Sequence, residues 1–246
     1  MLKFLSNNAR DQEIEKNKDY RNVVLIQVII IISGLVLSTF INYQNPTLSD
    51  KLIITLFSGF GAFYSFLLWD LLKDFTTNKI LIGVFLIVLS TIVVIGLLGE
   101  FPFYQFIEIE NRRAYLFALH AGLFPIEITV IGFAIRDLFS GNTFTKSKLW
   151  GAAAVYLMIG ISFASLYDLI NIATPGILGA ELSLGLESYA EFIYYSFNIL
   201  GGLDTAYPHP VPLLRNLGVI EAVWGNLYAI LIIGKLLGLP PKSDLV

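Results

Sequence analysis

YYSFNILGGLDTAYPHP, residues 194–210, decides the reading of this chain. Its first half carries aromatic and aliphatic residues at helical period and ends in two adjacent glycines, Gly201 and Gly202. A short loop follows, with Asp204, Thr205, Pro208 and Pro210. The next run, VPLLRNLGVIEAVWGNLYAILIIGKLLGL, is long enough to cross a hydrocarbon core about 30 Å thick at about 1.5 Å per residue. Upstream lies another such run, residues 149–169. The pattern predicts an aromatic half-helix between two spanning helices, 149–169 and 214–236. Backbone that dips into a membrane and returns must be buried in protein or line a water-filled cavity, because lipid satisfies no N–H or C=O.

Composition extends this reading to the whole chain. Of 246 residues, 56% are hydrophobic and only 14% charged, about half the charged share of a soluble domain. Mean hydropathy is +0.72, which places the chain among multispanning membrane proteins. Six runs qualify as spans: 23–41, 52–72, 80–98, 115–138, 149–169 and 214–236. With no cysteine, the chain has no disulfide, zinc–thiolate site or thiol nucleophile. The two histidines, His120 and His209, are far apart in sequence, and no metal site is expected. No basic patch points to nucleic acid. Residues 1–22 are mixed in charge and lack the apolar core of a signal peptide, so they read as a cytoplasmic amphipathic lead-in.

An even number of spans puts both termini on one side, and the basic residues choose the side. With both termini inside, Lys3, Arg10, Lys16, Lys18, Arg21, Lys73, Lys79, Arg136, Lys146, Lys148, Lys235 and Lys242 are cytoplasmic. Only Lys51, Arg112, Arg113 and Arg215 are then outside. This predicts a multi-pass protein of the plasma or inner membrane, with the half-helix and its loop opening to the outer face. Trp69, Trp150 and the loop 101–106 read as aromatic belts. Asp70, Asp74 and Asp168 fall at span ends and read as interfacial.

Residues 145–239 carry a family resemblance. A pore helix and filter of the tetrameric potassium-channel superfamily, in its bacterial two-helix form, reads Y-[FY]-S-F-x-T-L-T-T-x-G-Y-G-D. Here Tyr194, Tyr195, Ser196 and Phe197 match its start, and Leu200 matches its leucine. Ile220-Glu221-Ala222 followed by Gly225-Asn226-Leu227-Tyr228 resembles the inner-helix pattern L-E-A…G-Q-L-Y, and residues 151–157, GAAAVYL, resemble the outer helix. The resemblance implies an all-α fold of six transmembrane helices plus a re-entrant pore helix, assembled as a homotetramer around a central pore. The implied divisions are a cytoplasmic segment (1–22), a four-helix domain (23–144), a pore domain (145–239) and a short cytoplasmic tail (240–246). No nucleotide- or calcium-binding domain is expected after the pore.

The filter departs from the family. Gly201 and Gly202 replace its two threonines, and Asp204, Thr205 and Ala206 fall on its G-Y-G. Potassium selectivity rests on stacked carbonyl rings that replace the ion's water shell, and the glycines permit the backbone that aims them. Selectivity for potassium is therefore not carried over. The acid, threonine and prolines bear some likeness to the G-E-T-P-P filters of non-selective cyclic-nucleotide-gated channels. The implied filter comprises Gly201, Gly202, Leu203, Asp204, Thr205 and Ala206. Asp204 is either a carboxylate ring at the constriction or an outer-mouth aspartate. Asn198 and Glu221 are the candidate filter supports, with Glu221 facing the back of the pore helix and tied to backbone or to Asn198. Gly225 is either a hinge or a close-packing position, and Asn226 is placed in the inner vestibule.

Four spans precede this module. A voltage sensor needs arginines at three-residue spacing in the fourth, but residues 115–138 hold only Arg136. No strong voltage sensing is expected. Glu127 lies deep in the same span, two residues after Pro125. His120 is two turns earlier on one face, so the two could form a proton-sensing pair; the other reading ties Glu127 to a neighbouring helix. Two functional readings stand. One is a cation channel for K+ or Na+ with altered selectivity and no resident cofactor. The other is a non-conducting subunit that regulates or assembles with a partner chain. A transporter would need internal repeats, which are not evident. An enzyme would need a catalytic motif, and none is found.

Overall fold

The computed structural model describes residues 2–40, 47–99, 103, 109–140, 145–179, 181–182, 184–203, 207 and 209–238. Asp204, Thr205, Ala206, the tail 240–246 and most of the loop 101–106 lie outside the described residues. So do the side chains of residues 2–12, 37, 38, 40, 236 and 237.

Seven helices are present among the described residues: α1 (Leu2–Phe40), α2 (Leu48–Phe75), α3 (Lys79–Gly99), α4 (Arg112–Phe139), α5 (Lys146–Ala173), α6 (Leu186–Gly201) and α7 (Pro212–Leu237). Six are long and apolar enough to cross a membrane, and each lies on one of the six runs read from the sequence. The chain is a multi-pass membrane protein. α6, at 16 residues, is about 24 Å long and shorter than the hydrocarbon core.

Helix starts follow local chemistry. Thr47 and Asp50 form a capping box at α2. Asn111 accepts from the Ala114 amide at α4 (3.0 Å), and Thr145 accepts from Lys148 at α5 (3.4 Å). α1 is one continuous helix that begins in the lead-in 1–22 and runs through to Phe40. Lys16 on this extension pairs with Asp137 at the end of α4 (2.5 Å), and Tyr20 donates to the same carboxylate (3.3 Å). Tyr20 is fully buried, so the extension belongs to the packed bundle.

α5 is the central helix. It packs on α1, α4, α6 and α7, and most of its surface is buried. α3 is the opposite case: it packs mainly on α2 and α4, and Leu89 is the only residue it buries among the described residues. An apolar helix so exposed belongs against lipid. α7 buries one stripe, Leu214, Gly218, Glu221, Gly225, Tyr228 and Ile232, at the 3.6 period. Its other faces expose Val219, Val223, Trp224, Leu227 and Ile230.

Candidate functional site: the enclosed half-helix

No residue of α6 between Leu186 and Leu200 is exposed. This short helix is thus wrapped by protein on α1, α5 and α7. This is the placement that backbone polarity demands. The helix follows Gly185, at φ 102°, and closes at Gly202, at φ 65°. That left-handed cap suits glycine, which has no Cβ to clash. The Gly202 amide donates to the Ile199 carbonyl (3.1 Å) and Leu203 to Asn198 (2.8 Å). Gly201, Gly202 and Leu203 emerge exposed.

Four polar ties hold the half-helix in its collar. On α7, Glu221 is fully buried and accepts from Tyr167 of α5 (2.6 Å) and from Ser196 of α6. The Ser196 hydroxyl lies between Glu221 and the Gly160 carbonyl (2.8 Å), and its single proton serves one at a time. Asp168 of α5, also fully buried, accepts from Ser188 in the first turn of α6 (2.5 Å). Tyr156 of α5 donates to the Leu200 carbonyl at the far end (3.1 Å). Beyond the helix, Tyr207 donates to Glu191 (2.5 Å) and so folds the loop back on α6. Burial and that carboxylate push the Tyr207 phenol above its ordinary pKa, keeping it a donor.

Apolar contact completes the fit. Tyr167 meets Tyr195 edge to face (5.4 Å between centroids) and tilts on Phe192 (6.3 Å). At Gly225 the helices come so close that a Cβ would run into the Leu200 side chain.

The candidate residues separate in consequence. Glu221 does face the back of α6, but its partners are Ser196 and Tyr167 rather than Asn198. The Asn198 amide instead donates to the Tyr194 carbonyl of its own helix (2.8 Å). Gly225 occupies a close-packing position, and Asn226, one residue on, is exposed. Asp168, at a span end, has no exposed surface. Asp70 pairs with Lys73 and Asp74 is exposed, as span-end residues should be. His120 and Glu127 line one cavity, and the carboxylate beside His120 is Asp168, 3.5 Å from Nε2.

Ser196, Tyr167 and Ser188 escaped the sequence reading as partners. Ser196 and Tyr167 had no local signal, since each meets Glu221 across more than two dozen or fifty residues. Among the described residues, no cluster of three or more metal-ligating side chains occurs. No family model matches the chain, and neither curated proteins nor solved structures yield a match.

Proposed function

We propose that the chain is a subunit of a cation channel, in which four copies surround a pore and α6 serves as the re-entrant pore helix. The observation that carries this reading is α6 itself: a 16-residue helix, enclosed along its length, ends in exposed Gly201–Leu203. The C-terminal end of a helix carries partial negative charge that favours cations. The naked face of α7, with Trp224 and Asn226, is the surface that the other copies and the inner vestibule would take. One chain supplies one such loop, so a ring requires several copies. Asp204 would repeat around that ring as a carboxylate filter attracting monovalent cations. The basic-residue bias supports cytoplasmic termini, in a plasma or inner membrane as the channel reading expects.

One observation favours a non-conducting regulatory or assembly subunit instead. The carbonyls of Asn198 and Ile199 each accept a hydrogen bond from the glycine cap, which turns the end of α6 back on itself. Currents from the reconstituted protein separate the two readings. Cation currents reduced by Asp204→Asn support the channel. Currents unchanged by that substitution remove Asp204 from the conduction path, and silence from a folded assembly supports the subunit.

A further inference from the structure

A cavity of about 250 Å³ lies within the first four helices, against α5 and the N-terminal end of α6. It exceeds the ~150 Å³ apolar cavity that hosts a benzene molecule in a soluble protein. Its wall is mostly aliphatic, with Ile54, Ile92 and Leu116 from three different helices. Into it come the aromatic rings of Phe57, Tyr64 and Tyr189 and a single carboxyl group, that of Glu127. Phe57 and Tyr189 meet edge to face, 6.4 Å between centroids.

Glu127 is 5% exposed; Ser162 and Ser165 of α5 lie beside its carboxyl, yet its Oε2 has no hydrogen-bond partner. The buried Tyr64 hydroxyl also has none. Buried polar atoms are almost always paired, and an acid at this depth of a membrane protein calls for a partner. His120 does not fill that role, because its Nε2 is directed to Asp168, 3.5 Å away. An acceptor in an apolar chamber, flanked by π faces, fits a protonated amine on a compact apolar body.

We propose that this cavity binds a small cationic amphiphile, its ammonium on Glu127 and its apolar body among the aromatic and aliphatic wall residues. The site stands apart from conduction and does not depend on it.

Phenethylamine is the probe, with 2-phenylethanol as its neutral counterpart. Full-length protein in nanodiscs of phosphatidylcholine and phosphatidylglycerol is titrated with each, and saturable thermal stabilisation is read. The amine should bind at least about tenfold more tightly than the alcohol, and Glu127→Gln should erase that preference. Gly61→Leu should abolish binding of both, because Gly61 lines the chamber and a Cβ there meets nothing within 4 Å, so a leucine at this position is expected to take up the ligand's space. Equal affinity for amine and alcohol, an amine preference surviving in Glu127→Gln, or binding unaffected by Gly61→Leu would each overturn the proposal. So would absence of saturable binding, or a lipid acyl chain found resident in the chamber by native mass spectrometry.

Discussion

The Ser196 hydroxyl of α6 is hydrogen-bonded to the Glu221 carboxyl of α7, and neither side chain has any exposed surface. With Tyr167 of α5 as the second donor, one buried acid ties three helices together. Such networks specify a unique packing when every member is satisfied, and are costly when one member is lost.

Glu221→Ala leaves the Tyr167 and Ser196 hydroxyls without their acceptor. It should lower stability by about 2–4 kcal/mol, and Glu221→Gln, which keeps an acceptor, by clearly less. Thermal unfolding of the purified protein in one detergent checks the order. Equal loss from both would mean the carboxyl serves volume rather than hydrogen bonding.

Gly225→Ala drives a methyl group into the Leu200 side chain. Overpacking of this kind costs about 1–3 kcal/mol. Adding Leu200→Ala should recover part of that loss, a coupling that a double-mutant cycle in thermal unfolding measures. Strictly additive effects would contradict the packing role and return Gly225 to the hinge reading.

Gly202→Ala places a Cβ at φ 65°, a conformation that L-residues adopt at a cost. The expected loss is about 1 kcal/mol, whereas Gly201→Ala, inside the helix, should be neutral or stabilising. Reversal of that order would show that α6 does not end in this cap.

The exposed face of α7 predicts assembly. Native mass spectrometry from mild detergent should give a species about four times the 27.4 kDa chain mass. Trp224→Glu and Leu227→Glu on that face should shift it toward monomer. A wild-type monomer throughout would leave that face to lipid alone and remove the ring.

The spanning helices were legible because a run of about 20 apolar residues has few other meanings. α6 was legible too, as helical period stopped by Gly201-Gly202, and the cap fell on the second glycine. Tertiary partnership was the part that sequence withheld. Asp168 sits at the edge of an apolar run, where an interfacial residue is the ordinary reading. It is buried because α6 brings Ser188 to it from 20 positions away. His120 and Glu127 share a helical face of α4, yet α5 supplies Asp168 to the histidine. Residues 1–22 read as a cytoplasmic amphipathic lead-in, and nothing local to them signals that Tyr20 and Lys16 meet Asp137 across more than a hundred residues.

The most direct test of the channel reading is reversal potential in planar bilayers holding the purified assembly. Under a KCl gradient, discrete currents should reverse near the cation equilibrium potential, and replacing potassium by sodium on one side should shift that reversal only modestly, since the G-Y-G backbone is absent. Reversal near the chloride potential, or silence at every voltage from a folded assembly, would contradict the account.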